Sequence, residues 1–145
     1  IEYIISSFAS HAPKDMKLLF KHHPMDRGKK NYSAYINYLA KIYRVDGRVM
    51  IAFDVHLPTV IKNAKAVVLI NSTVGLNALY YLKPTLCLGK SMYDIDGLTT
   101  KGVELDYFWS GQRPVDGALY AKFRAYLIDH TQVLGSYYLR DGIEF

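Results

Sequence analysis

The chain has 145 residues, half of them hydrophobic, with 18 Lys+Arg against 13 Asp+Glu for a formal charge of +5. That length suits one domain and that apolar content fills a core, which excludes wholesale disorder. The single cysteine, Cys87, excludes an internal disulfide and a cysteine-built zinc site, and reads as a small core residue.

Residues 1–9 are apolar with mixed spacing and predict the tail of a helix. Lys17-Leu18-Leu19-Phe20-Lys21 predicts a buried strand that ends in a loop at His22-His23-Pro24. From the cap Asn31, the positions Tyr32, Tyr35, Ile36, Leu39, Ile42 and Tyr43 follow helical spacing. Asp46-Gly47 marks a turn before a second strand, Val49–Phe53. Pro58 suits the first turn of a short helix through Ala64. Ala66–Ile70 predicts a third strand, β-branched enough to be fully buried in a parallel sheet. Asn71-Ser72-Thr73-Val74-Gly75 leads into a helix over Leu76–Leu82, stopped by Lys83-Pro84. Thr85–Leu88 predicts a fourth strand, closed by Gly89, and Lys90–Gly102 a loop. Asp116 to Asp129 resumes helical periodicity.

The alternation of strand and helix suits right-handed βαβ crossovers. The expected fold is α/β: one Rossmann-like open parallel sheet with helices on both faces over residues 1–145, with 116–145 a helical C-terminal extension. No run approaches the ~18–20 apolar residues that cross a bilayer, and no signal-peptide pattern opens the chain, so a cytoplasmic location is expected. Residue 1 is Ile rather than Met, and the expectation is a piece of a longer protein.

Ligands of open parallel sheets bind at the carboxyl ends of the strands. His22-His23-Pro24, Asn71-Ser72-Thr73 and Gly89–Tyr93 all fall at such ends and can face one crevice. Ser72 or Thr73 can cap the following helix, alone or together with a phosphate held on its free N–H groups. Gly75 in the first turn has no helix-propensity reason to be there and allows close approach. His23, held extended before Pro24, can donate to a phosphate oxygen. Tyr93 is either a wall of the crevice or plain packing. No metal is expected: His22 and His23 point opposite ways on a strand, and Asp94-Ile95-Asp96 is read as a turn at Asp96-Gly97 rather than a cation-binding D-x-D. No cofactor is expected.

The charge is uneven. Residues 11–30 carry Lys14, Lys17, Lys21, Arg27, Lys29 and Lys30 against Asp15 and Asp26. Such a cluster suits a phosphate-bearing partner or an anionic membrane surface. No nucleic-acid-binding signature accompanies it, and nucleic acid is not an expected partner.

Lys21-His22-His23-Pro24-Met25-Asp26-Arg27-Gly28, Asn71–Leu76, Leu88–Asp94, Gly97-Leu98-Thr99 and Phe108-Trp109 follow one another in register. Together they resemble the C-terminal half of bacterial capsule polysaccharide biosynthesis/export proteins of the KpsS/LipB and KpsC/LipA type, over roughly residues 15–138. The resemblance implies the nucleotide-binding domain of a GT-B-like, retaining β-Kdo transferase. Such an enzyme takes Kdo from CMP-Kdo and builds an oligo-Kdo linker on a phosphatidylglycerol-type lipid at the inner membrane, with the capsule assembly and export machinery as further partners. It implies that His23 and Pro24 lie against the CMP phosphate and stabilise the leaving group, and that Ser72 and Thr73 also bind that phosphate. Asn71, Gly75, Tyr93, Lys21 and Arg27 are the further candidate contacts, and Lys90 a weaker one. The family's acidic catalytic residue has no counterpart here, so this chain alone is expected to be inactive. The alternatives are a non-catalytic module docking an anionic lipid or an export partner, and a UDP-sugar enzyme of epimerase type.

Overall fold

Four strands and six helices alternate along the described residues, 1–21 and 31–131, of the computed structural model. In chain order they are α1 (Glu2–His11), β1 (Leu18–Lys21), α2 (Ser33–Ile42), β2 (Val49–Ala52), α3 (Leu57–Asn63), β3 (Val67–Leu69), α4 (Val74–Tyr80), β4 (Thr85–Cys87), α5 (Leu105–Phe108) and α6 (Gly117–Thr131).

Local chemistry sets most of the boundaries. Asn31 Oδ1 accepts the Ser33 N–H at 2.9 Å, which ties down the entry of α2. Asp116 Oδ1 accepts the N–H groups of Ala118 and Leu119 at 2.9 and 3.0 Å and caps α6. Pro58 sits in the first turn of α3. Past α4, Leu82 takes a φ of 50°, and the Lys83 N–H returns to the Ala78 carbonyl at 2.9 Å. Pro84 then prevents continuation.

The strands pair in parallel, Leu18↔Val49 through Lys21↔Ala52 in one ladder and Val67↔Thr85 through Leu69↔Cys87 in the other. Ile5 of α1 and Ile36, Leu39 and Ala40 of α2 pack under Leu18, Phe20, Val49 and Ile51. Phe8 of α1, with Leu105, Phe108 and Trp109, packs under Val68 and Leu86. Leu69 and Cys87 point to the opposite face, against Leu79, Tyr93, Leu98 and the inner side of α6. The fold is therefore mixed α/β with parallel strands and helices on both faces.

Two expectations are corrected. The strands form two two-stranded sheets, with no ladder between β1–β2 and β3–β4 among the described residues, instead of one continuous sheet. Nor is Ala66–Ile70 fully buried: every residue of β3 is half-exposed, whereas Thr85 and Leu86 of β4 are 0% and 3% exposed. β-Branching favours a strand, but burial follows what packs around it: β3 and β4 each have a ladder on one edge only, and β4 is further covered by Thr100, whose N–H donates to the Thr85 carbonyl at 2.8 Å.

The short helix α5 falls in a stretch that periodicity leaves without an element. Its packing on α1 is specific. Trp109 Nε1 donates to Ser7 Oγ at 2.8 Å, and Ser7 Oγ donates to Asp106 Oδ1 at 2.5 Å. The Phe8 and Trp109 rings meet edge to face at 5.3 Å. On the other side of Phe8 the Arg48 guanidinium lies 4.4 Å from the ring centroid and donates to the carbonyls of Met16 and Pro13.

Candidate functional site

β3 leads straight into the exposed turn Asn71-Ser72-Thr73 and from there into α4. The capping expectation holds only in part. Thr73 occupies the cap position without a side-chain hydrogen bond, and Ser72 Oγ accepts the Val74 N–H at 3.2 Å instead. The Ser72 carbonyl receives the Gly75 N–H at 3.0 Å and also the Tyr93 hydroxyl. Those bonds tie the turn to Gly75 and Tyr93, and Asn71, Ser72 and Thr73 are all exposed.

Tyr93 is packing, not an open wall of the crevice. It is 2% exposed, stacked among Leu79 and Leu98, and only its hydroxyl reaches the turn. Burial pushes the phenol pKa up, opposed by a Ser91 hydrogen bond and reinforced by Cys87 and Asp94, so it remains a donor through neutral pH. Gly75 does permit a close approach, and the group that approaches is the Tyr93 ring: a Cβ at residue 75 would overlap its Cε2, Cζ and Oη atoms. The two residues form one device that positions Ser72.

At the end of β4, the Leu88 N–H donates to Leu69 at 2.8 Å and the Gly89 N–H to Ile70 at 3.0 Å. This carries the β3–β4 pairing to the edge of the Ser72 turn. Gly89 lies so close to Ile70 that a Cβ would meet Ile70 Cγ2 at 2.8 Å. Lys90 is exposed just beyond. Lys21, half-buried, ends β1 opposite Ala52. His23, Pro24 and Arg27 lie outside the described residues, so the site is built here from its β1, β3 and β4 ends.

The acidic pair separates into two structural roles. Asp94 Oδ1 accepts the Thr99 hydroxyl at 2.6 Å. Asp96 is exposed, 3.8 Å from Arg113, and begins the turn in which Gly97 takes a φ of 87°. That positive φ is why glycine follows Asp96. Among the described residues no group of three or more His, Cys, Asp or Glu side chains is placed to hold a metal. An open groove lined by Tyr80, Tyr120, Arg124 and Ile128 lies at the far end of α4 from the Ser72 turn.

Cys87 is half-buried beneath this end of the sheet, and burial, reinforced by Asp94, pushes its thiol up to about 11 from 9.0. Only the thiolate is alkylated. At pH 8 the thiolate fraction is then lower by about 100-fold than for an unshifted thiol, since two pH units are two decades. Iodoacetamide labelling of the folded chain is expected to lag a denatured control by at least about that factor, and equal rates would contradict the buried placement.

Half-buried Lys21 and the exposed Asn71-Ser72-Thr73 turn thus both stand at the carboxyl ends of parallel strands in a mixed α/β domain. The chain belongs to the capsule polysaccharide biosynthesis protein family, whose profile matches residues 1–138. It is 44% identical over 138 residues to the capsule polysaccharide export protein KpsS of Escherichia coli, covering 95% of this chain and 35% of that protein. It is 39% identical over 137 residues to the capsule polysaccharide modification protein LipB of Neisseria meningitidis serogroup A, covering 94% of this chain and 32% of that one. The LipB protein of serogroup B is similar to the same extent. The chain thus spans about a third of the length of the curated relatives it matches. No solved structure matches it. No helix among the described residues is long and apolar enough to cross a membrane.

Proposed function

We propose that this chain is the donor-nucleotide-binding domain of a capsule-polysaccharide glycosyltransferase, a retaining β-Kdo transferase that uses CMP-Kdo and builds the lipid-linked oligo-Kdo linker. The observation that carries this reading is the Asn71-Ser72-Thr73 turn, held from beneath by Gly75 and Tyr93 at the carboxyl end of β3. Ser72 Oγ already accepts the Val74 N–H, so its own proton is left to donate outward. The exposed Asn71 and Thr73 side chains make no hydrogen bond within the described residues and add an amide and a second hydroxyl. Two or three such donors suit a single phosphate group, which in a CMP-sugar bridges nucleoside and sugar as a diester and leaves on CMP as a monoester. Lys21 and Lys90 add positive charge near the ends of β1 and β4. His23-Pro24 and Arg27, which follow β1 in the chain, are the further proposed phosphate contacts. Leaving-group stabilisation falls to His23, with the acid/base residue elsewhere in the longer protein.

The test is calorimetric titration of CMP into the full-length polypeptide that contains this chain. Saturable binding is expected, weakened about 10-fold or more by Ser72→Ala, the loss of one charge-assisted hydrogen bond. His23→Ala is expected to weaken it as well. A folded protein that ignores CMP, or a Ser72→Ala variant that binds it unchanged, would sink the reading, and a preference for uridine diphosphate would favour a UDP-sugar enzyme.

A further inference from the structure

α6 packs on the sheet through one side only. Leu119, Tyr120 and Phe123 reach the cluster around Leu79, Tyr93 and Leu98, and none of the 15 residues of the helix is buried. Its first turn is seated against Leu82 and Gly97. A Cβ on Gly117 would meet Leu82 Cδ1 at 4.0 Å, and one on Gly97 would meet Leu119 Cδ2 at 3.0 Å. From that anchor the helix passes the end of α4, where Tyr80 is 59% exposed and its ring meets Tyr81 edge to face at 5.0 Å. The open groove between Tyr80 and α6 encloses about 630 Å³, within the ~300–1,000 Å³ range of small-ligand sites.

Spacing along α6 explains the groove. Residues four apart share a helix face, so Tyr120, Arg124 and Ile128 form one row of the wall and Ala121, Ala125 and Asp129 the next. The two alanines leave the room, and a longer side chain at 125 would fill it. Tyr120 is half-buried against the core cluster and lines the groove as well. Burial pushes its phenol up, the Arg124 guanidinium opposes this, and Tyr80 adds to it, so both neighbours lie close to the Tyr120 hydroxyl. The Arg124 and Asp129 side chains make no hydrogen bond or ion pair among the described residues.

The groove thus combines an exposed aromatic ring, two phenol hydroxyls, a guanidinium and a carboxylate. A pyranose ring has a C–H face that suits a tyrosine ring, and a rim of hydroxyls that donate and accept. Arg124 offers the planar fork that meets a carboxylate with two parallel N–H···O bonds. We propose that this groove binds an acidic saccharide, a chain of carboxylate-bearing pyranoses. Arg124 takes a carboxylate, the Tyr80 ring lies under a sugar face, and Tyr120 and Asp129 bond to ring hydroxyls. A phosphate dianion suits the site less, because it offers the Asp129 carboxylate only repulsion. An apolar peptide would leave Arg124 and Asp129 without partners. α4 has seven residues, and at ~1.5 Å each its length sets the groove roughly 10 Å from the Ser72 turn, at the opposite end of the helix. Oligo-Kdo, the product of the proposed function, is one saccharide of this class; that link rests on the proposed function, whereas the groove does not.

Calorimetric titration of the full-length polypeptide that contains this chain is the deciding measurement. The probes are cellotetraose and its C6-oxidised tetra-uronate, which differ only in their carboxylates. The uronate is expected to bind at least about 10-fold tighter than the neutral sugar. Arg124→Gln is expected to bring the uronate down to the level of cellotetraose. Ala125→Leu, a helix-compatible change at an exposed position, is expected to weaken the uronate at least about 10-fold by filling the groove. Both positions are exposed, so unchanged melting curves are expected to accompany these losses. No uronate binding by the folded protein overturns the proposal, as does equal affinity for the two probes. Binding that ignores Arg124→Gln or Ala125→Leu also overturns it, and would mean a general attraction to the basic surface. Saturating CMP is expected to leave the uronate titration unchanged; displacement by CMP would overturn the groove by assigning the uronate to the Ser72 crevice. CMP binding in turn does not involve Arg124 or Ala125, so a failure here and a failure of the nucleotide reading are told apart.

Discussion

Gly75→Ala is expected to destabilise the domain by about 2–3 kcal/mol, far more than the loss of a helical glycine would suggest. In an ordinary helix interior, alanine is better than glycine by about 1 kcal/mol. Here the sign reverses, because the new methyl would overlap the Tyr93 ring. The ring cannot swing aside cheaply: Tyr93 is 2% exposed and shares its cluster with Leu79 and Leu98. Displacing it also breaks the hydroxyl bond to the Ser72 carbonyl. Urea denaturation of three further variants separates the causes. Tyr93→Phe removes only the hydroxyl and is expected to cost about 1 kcal/mol, since Ser72 keeps its bond from the Gly75 N–H. Tyr93→Leu removes the obstacle. The double variant Gly75→Ala/Tyr93→Leu is expected to be more stable than the sum of its singles by at least about 1 kcal/mol. Strict additivity would show that the ring is not what excludes a side chain at 75.

The elements that were legible from residues alone are those with strong local signals. All four strands lie where short apolar runs stop at polar or turn residues, Asp54, Asn71 and Gly89 among them, and α2, α3 and α6 lie where periodicity and caps place them. The turn after β3 was legible for the same reason: Asn71-Ser72-Thr73 interrupts an apolar run directly before a helix. What was not legible depends on partners far away in sequence. Periodicity cannot say that Tyr93 fills the space above Gly75, so an open crevice and a packed ring fit the same residues. Nor can it detect α5, a four-residue helix whose stability comes from Ser7 and Phe8, about a hundred positions earlier. The burial of β3 was misjudged because composition reports what a strand can tolerate, while exposure reports what lies beside it. At the acidic tripeptide the turn was readable from Asp96-Gly97, and the bond from Thr99 to Asp94 was not.

Phe8→Ala is expected to be the most damaging single substitution in α1, costing about 3–5 kcal/mol. The ring is fully buried, with the Trp109 edge on one side and the Arg48 guanidinium on another. Truncation therefore opens a cavity and removes an aromatic pair and a cation–π contact together. The comparison that isolates these terms is Phe8→Leu, which fills most of the volume but offers no π face. It is expected to recover roughly half of the loss, because the transfer and cavity terms outweigh the ring contacts of about 0.5–1.5 kcal/mol each. The consequence reaches beyond α1. Arg48 also holds the carbonyls of Met16 and Pro13, on the segment that leads into β1, and Arg48 itself precedes β2. Loss of the ring beneath it should loosen the β1–β2 pair as well as the α1–α5 contact. Hydrogen exchange is expected to show faster opening at Leu18 and Phe20 as well as at Trp109 in Phe8→Ala, whereas a change confined to α1 and α5 would show that Arg48 holds the strand pair without the ring. A domain with a net stability of about 5–15 kcal/mol has little margin for such a loss. The same α1 that joins the two strand pairs is thus the element through which damage at one pair reaches the other.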